Sequence, residues 1–437
     1  MLLLVSLLAC VDLDEDPPPA SESTPDTATE TDTADDTSDP TVSQTVLACD
    51  ETVRVPTALG DNDAPAATPH EETFGAAPEP YHVRIGMPSS DPSTSVSFLW
   101  RTDTDTLATQ VAYGVDGALD QVVDGASFTW GGADQTGHRM HEVKLCERLE
   151  PDTEYSYRVG GGDTWSETYT FRTPPAPGSF DTYRVAIAGD SRGAYETWGD
   201  LLAQAEAHDP DIFLFSGDMV DLGVNQSEWD AWFDAAGDLW TRKLIVPAHG
   251  NHEFLATNYF AQFSLPNNEE WFSLQWGDLL LVSLNDTVRD ADFTGVDQVA
   301  FMNEVFGESD ARWRWAMHHR AIYSTCTTHG SNEGLRAEWE PVFDRHGLQF
   351  VTAGHNHIYE RSVPIRGGQE VAPADGTTYV VSGGAGAPLY TRHDDLWFGN
   401  VVEPIEHYVI VDVSPAGAEA VVYDLSGNVI DAFTLVP

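Results

Sequence analysis

The chain has 437 residues, 41% of them hydrophobic and 11% aromatic, which is too long for one ordinary core and apolar enough for two. Against 21 basic residues stand 71 acidic ones, and the resulting formal charge of −50 repels nucleic acid and anionic membrane surfaces, so a polyanion partner is not expected. With 36 Gly and 26 Pro the chain must turn often, as strand-rich architectures do.

In chain order, residues 1–9 are apolar and run into Leu7-Leu8-Ala9-Cys10, which resembles a signal peptide ending in the lipobox of bacterial lipoproteins, where the Cys is lipidated. That implies an extracytoplasmic protein, secreted or attached to the cell envelope through lipid on Cys10. No Lys or Arg precedes the apolar run, a departure from the usual secretory pattern. Residues 11–45 are mostly Asp, Glu, Thr, Ser, Pro and Ala. They hold too little apolar surface to offset the entropy of ordering, and read as a disordered acidic linker. An exported chain meets an oxidising compartment, in which Cys49 and Cys146 pair and Cys326 is left over; three unpaired buried thiols are the alternative.

Residues 46–176 read as a small all-β domain, with short strands at 95–101 (SVSFLWR), 109–113, 141–145, 154–159 and 167–172. The stretch LEPDTEYSYRVGGG, followed by FRTPP, resembles the end of a fibronectin type III-like domain of the kind that precedes the catalytic domain in plant-type purple acid phosphatases. Pro174, Pro175 and Pro177 mark its exit. Residues 181–437 alternate strands (183–188, 212–216, 279–284, 313–317, 349–353, 378–382) with helices (196–208, 226–239, 335–346). They end in a meander (408–413, 420–423, 429–435) expected to close the sheets. This is a layered α/β pattern, in which ligands gather at strand C-terminal ends. Trp271, Trp276, Trp397 and Phe398 read as core or as the wall of a substrate entrance.

Five clusters follow predicted strands: Gly189-Asp190, Gly217-Asp218, Gly250-Asn251-His252-Glu253, His318-His319 and Gly354-His355-Asn356-His357. Carboxylate, amide oxygen and imidazole together suit hard and borderline metal ions, and glycine lets the backbone turn at such a site. The order is similar to the metallophosphoesterase (calcineurin-like) superfamily, and three segments narrow the resemblance to purple acid phosphatases. HRAIY (319–323) resembles the family's His-x-Pro-x-Tyr turn, THGSNEGLR (328–336) its His-containing loop, and GHNHIYERS (354–362) its GHxHxYER motif.

The resemblance implies a fold of class α/β: a four-layer metallophosphoesterase sandwich, two mixed β-sheets flanked by helices, after a fibronectin type III-like sandwich. It further implies two metal ions, Fe, Zn or Mn, one held by Asp190, Asp218 and His357 and the other by Asp218, Asn251, His319 and His355. Asp218 would bridge them, and the pair would bind phosphate oxygens and acidify a water. His252 and His329 are the implied acids or phosphate contacts; His318 is the alternative to His319 in register. Two positions depart from the family. Asp221 stands where the family's Gly-Asp-x-x-Tyr motif supplies a tyrosinate, so a colourless enzyme is expected. Arg192 stands two residues after Asp190, where many metallophosphoesterases place a His. A guanidinium cannot ligate a metal, so Arg192 either binds the substrate phosphate or pairs with Asp221, or else the first site is weak. The expected function is acid phosphatase activity on small phosphomonoesters. A phosphodiesterase or nucleotidase, or a surface binding protein with a degenerate metal site, are the alternatives.

Overall fold

The computed structural model describes residues 49–57, 64–130, 137–179, 181–287, 298–393 and 396–437; the expected signal peptide, Cys10 and the expected linker lie outside them. Among the described residues no helix is long and apolar enough to cross a membrane.

The first region is all β. One sheet runs in the order Thr68–Pro69, Ala126–Phe128, His138–Leu145, Val96–Asp103, Tyr81–Gly86. The other runs Tyr169–Arg172, Glu154–Gly161, Gln110–Val115, Gln121–Asp124, with Thr164–Trp165 beside Glu154–Gly161. Strand alternation aims Phe98 into the space between them, where it meets Tyr157 at 4.5 Å and Phe171 at 5.7 Å between ring centres. Cys49 and Cys146 form a disulfide with a Cα separation of 5.4 Å, and Cys326 is buried and free, as expected.

The sandwich sits on the second region through buried polar groups. Arg101, fully enclosed, pairs with Asp230 and donates to the Gln262 side chain; Arg84 Nε donates to Gln262 O at 2.7 Å. Tyr157 Oη donates to Thr241 O at 2.7 Å and Trp130 Nε1 to Gln226 Oε1 at 3.0 Å. Guanidinium groups enclosed this deeply would cost several kcal/mol without such partners.

The second region holds two mixed sheets. The six-stranded one has the order Leu244–Pro247, Ile212–Phe215, Tyr183–Ala188, His407–Ser414, Gly417–Asp424, Val429–Leu435. The seven-stranded one has Phe272–Trp276, Leu279–Ser283, Trp313–Arg320, Phe350–Gly354, Thr378–Ser382, Tyr359–Ser362, Gly399–Glu403. The period of two in the strands decides the layering. Leu279, Leu281, Trp313 and Trp315 face the core shared with the six-stranded sheet, while Leu280, Val282, Ala316 and Val351 face a second core built with Phe301, Phe306, Trp339 and Phe343 of helices Gln298–Glu308 and Glu333–His346. On the other side, helices Tyr195–Glu206 and Gln226–Ala236 cover the six-stranded sheet, Trp198 stacking on Trp232 at 5.5 Å. Four layers result, as the sequence implied.

Several local expectations change. The helix expected over 226–239 stops at Ala236, because Gly237 takes φ +53°, and Leu239–Thr241 forms a separate 3-10 turn. The helix before His346 begins at Glu333, where Asn332 Oδ1 accepts from Leu335 N at 3.0 Å. The strand expected at 167–172 begins at Tyr169. The terminal meander extends the six-stranded sheet alone, pairing antiparallel with Tyr183–Ala188, rather than closing both sheets. Trp271, Trp276 and Phe398 are core; Trp397, 51% exposed, is not.

Candidate metal centre

Each of the five clusters lies just beyond, or at the end of, a strand of one of the two sheets, where the backbone must leave the sheet. Asp190 (φ 62°), Asp218 (φ 56°) and His355 (φ 65°) do so in the left-handed region, which Asp and His enter more readily than most residues but still at a cost. Gly217 (φ +92°) turns the chain as expected, and the glycines also leave room. A Cβ on Gly217 would come within 2.6 Å of His319 Nδ1, and one on Gly250 within 2.4 Å of the Asp218 amide nitrogen.

These turns bring the implied ligands together. Ligand atoms of Asp190, Asp218 and His357 lie within 4.8 Å of one another, as do those of Asp218, His319 and His355, so Asp218 belongs to both groups. All five are buried, and Asn251 Oδ1 sits 3.0 Å from His319 Nε2.

Hydrogen bonds to the far side of the imidazoles fix which nitrogen faces the centre. The Ser216 carbonyl can only accept, so His319 Nδ1, 2.7 Å away, carries the proton. His319 Nε2 then faces the oxygens of Asn251 and, at 3.2 Å, Asp218. A lone pair aimed at two oxygens is repulsive unless a cation or a proton lies between them. His357 repeats the arrangement: Nδ1 donates to Pro388 O at 2.7 Å, while buried Nε2 has no hydrogen-bond partner and lies 3.5 Å from Asp190 Oδ1. Imidazole nitrogens whose lone pairs face carboxylate and amide oxygens are what metal ligation requires, so the donor set fits a pair of cations. Without metal, burial disfavours charge on both His319 and Asp218, yet their proximity overrides it. Asp218 is held well below the usual carboxylate range, and His319, which Asp218 stabilises as an imidazolium, is raised to about 10.

Two buried carboxylates brace the ligands. Glu253 accepts from the backbone N–H groups of Asp218 (2.9 Å), Met219 (2.8 Å) and Gly250 (2.7 Å), tying two clusters together; burial pushes its carboxyl up to about 7. Asp286 Oδ2 accepts from His319 N at 2.9 Å and from Arg320 N, holding an irregularity in the strand pairing between Met317 and Arg320. That irregularity sends His319 to the centre and His318 away from it, toward Asp286 (3.5 Å) and the Trp339 ring (5.3 Å).

Beside the first group stands Arg192. Its Nε is 3.8 Å from Asp218 Oδ2 and its Nη1 3.6 Å from Asp221 Oδ1, so the guanidinium touches the centre and pairs with the residue that replaces the tyrosine. It also contacts His252 Nε2. His252 Nδ1 donates to Asp221 O at 2.7 Å, and its backbone N–H to Asp218 Oδ1 at 2.9 Å. His329 is half-buried, its ring 4.2 Å from that of His355 and 5.3 Å from that of Tyr390.

Comparison with known proteins agrees with this geometry. Residues 80–173 match the model of the purple acid phosphatase N-terminal domain, and residues 183–359 that of the calcineurin-like phosphoesterases. The chain is a purple acid phosphatase-like metallophosphoesterase. Over 329 residues this phosphoesterase is 29% identical to purple acid phosphatase 21 of Arabidopsis thaliana, covering 70% of this chain and 71% of the relative. It is 27% identical over 374 residues to an uncharacterised Mycobacterium tuberculosis protein, covering 71% and 70%. The purple acid phosphatase structure from yellow lupin (Lupinus luteus) seeds superposes with a TM-score of 0.73 over 82% of this chain and 74% of that one, at 21% identity.

Three residues around the phosphoesterase centre escaped the sequence reading. Glu253 was visible as part of its cluster, but its bracing role depends on where the neighbouring loop lies. Asp286 lies three residues beyond the end of strand Leu279–Ser283, without the glycine that flagged other clusters. Tyr390 closes SGGAGAPLY (382–390), and a glycine-rich run after a strand was a signal available to notice.

Proposed function

We propose that the chain is a phosphomonoesterase of acid phosphatase type, exported, and working with two metal ions drawn from Fe, Zn and Mn. Asp190, Asp218 and His357 would hold one ion and Asp218, Asn251, His319 and His355 the other. The observation that carries this reading is the pair of imidazole nitrogens, His319 Nε2 and His357 Nε2, turned by carbonyl partners toward carboxylates that meet at Asp218. Bound there, the metals supply Lewis acidity toward the phosphate and an acidified water as nucleophile.

The remaining work falls to the protein. Arg192, within reach of Asp218, takes a non-bridging phosphate oxygen through its planar donors. In doing so it moves off His252 Nε2, which can then gain a proton from solvent. His252, held through Nδ1 by Asp221 O, gives that proton to the departing alkoxide as the P–O bond breaks. His329 is the second acid or phosphate contact. Export is supported by the leader and by the Cys49–Cys146 disulfide, a bond at home in oxidising compartments.

The test compares nitrophenyl phosphate with its bis-ester on protein whose metals are counted by elemental analysis. Preference for the diester replaces the monoester reading, and protein that neither retains nor is activated by any transition metal overturns the two-metal reading.

A further inference from the structure

We propose that Tyr390 is a further phosphate-binding residue, its hydroxyl joining the Arg192 guanidinium in a clamp on the substrate while its ring holds His357 in place. The proposal rests on the two-metal reading above and on Arg192 as a phosphate contact. It concerns a residue outside the span matched by the phosphoesterase family model, which ends at 359.

Tyr390 is not a wandering rim side chain. The segment after strand Thr378–Ser382 is fastened to the strands that carry the first ligand group. Ala385 N donates to Gly189 O (2.9 Å), Ala387 N to Asp190 O (2.9 Å), and Tyr390 N to His357 O (3.0 Å). In return Pro388 O accepts from His357 Nδ1 at 2.7 Å. The glycines permit this close wrap: a Cβ on Gly383 would lie 2.3 Å from Asn356 O. The segment therefore fixes both the tautomer of His357 and the place of the tyrosine two residues beyond Pro388.

From there the Tyr390 ring stacks on the His357 imidazole, with centroids 4.1 Å apart and planes inclined by 12°. A ligand imidazole with a carbonyl on one nitrogen and an aromatic face against its plane has little freedom to rotate. The hydroxyl points the other way, to Arg192, whose Nη2 donates to it at 3.4 Å. A phenol hydroxyl can accept from a guanidinium and donate its own proton to a second oxygen. Tyr390 and Arg192 thus place O–H and N–H donors side by side, next to Asp218 and His357, and a phosphate held by the metals would present its non-bridging oxygens to both. In this chain a tyrosine so serves the first ligand group from another loop, as a donor to substrate and a brace for a ligand, while Asp221 occupies the position from which relatives supply a tyrosinate.

The full chain, loaded with metal, is compared with Tyr390→Phe, which keeps the stack and loses the hydroxyl, and Tyr390→Leu, which loses both. The probes are inorganic phosphate, by calorimetry and as a competitive inhibitor, and nitrophenyl phosphate turnover; metal retention is measured after dialysis against a chelator. Tyr390→Phe is expected to retain metal like the parent, to bind inorganic phosphate about tenfold more weakly and to raise KM by a similar factor, with kcat changed much less. Adding Tyr390→Phe to Arg192→Ala should cost little more, since the two act on one group. Tyr390→Leu should in addition lose metal at roughly tenfold lower chelator concentration. Parental phosphate affinity and KM in Tyr390→Phe overturn the hydroxyl's role, and parental metal retention in Tyr390→Leu overturns the ring's. Failure of the parent chain itself to hold metal or hydrolyse phosphoesters falls instead on the two-metal reading.

Discussion

His141 in the sandwich and His319 in the catalytic layers are both completely enclosed, yet their surroundings ask for opposite charges. His141 lies flat against Trp100, and each ring nitrogen is 2.7 Å from a threonine hydroxyl, Nε2 from Thr102 and Nδ1 from Thr109. Hydroxyls can donate or accept, so a neutral ring is satisfied, and burial lowers its pKa to about 3. His319 has a carbonyl behind it and only oxygens in front, so it wants a cation there. Around His141 the sandwich closes polar groups on one another, and that cluster is finished by folding alone. The catalytic layers leave theirs aimed at a shared point, and folding leaves them unfinished until something positive arrives.

That contrast can be broken most decisively at Asp218. Asp218→Asn should lower hydrolysis of nitrophenyl phosphate by about 10³-fold or more and reduce bound metal, with the far-UV spectrum unchanged. Turnover within tenfold of the parent would mean that the oxygens do not converge on metal. Next in size is the brace: Glu253→Gln should weaken metal binding by about 10- to 100-fold in a chelator competition, because the amide cannot serve three backbone donors as well as the carboxylate.

The sandwich counterpart has the opposite profile. His141→Leu takes one of two partners from each of two buried hydroxyls, Thr102 and Thr109, which keep the carbonyls of Asp103 and Leu107, and should destabilise the protein by roughly 1–3 kcal/mol in denaturant unfolding, while kcat per folded molecule stays unchanged. A change in kcat there would show that the sandwich does more than support the catalytic layers.

The pH dependences should also run in opposite directions. The folded-state pKa of His141 is depressed, so its contribution is complete above the unfolded value near 6.5 and is lost as pH falls toward about 3. His319 in metal-stripped protein is raised, so its contribution is complete below 6.5 and is lost as pH rises toward about 10. Melting curves of His141→Leu and His319→Leu against the metal-stripped parent should therefore converge with it at opposite ends of the pH scale. The smallest effect is optical: with Asp221 in the tyrosine's place, iron-loaded protein should show no phenolate charge-transfer band in its visible spectrum.

Much of this was legible in the chain itself. The strands at 183–188, 378–382 and 429–435 stand where alternation of apolar residues put them, and the candidate ligand clusters, such as Gly189-Asp190 after 183–188, could be picked out from residue type and order alone. Both are local properties, written within a few consecutive positions. What the sequence could not decide depends on distant groups meeting. The carbonyls of Ser216 and Pro388 orient His319 and His357, and any residue has a carbonyl, so no side chain announces that role. The choice of His319 over His318 rests on Asp286, more than 30 positions away, bending the strand. Arg192 can be read as a departure from the family, but its contact with Asp218, Asp221 and His252 at once, and the arrival of Tyr390 over His357, exist only where separate loops are folded against each other.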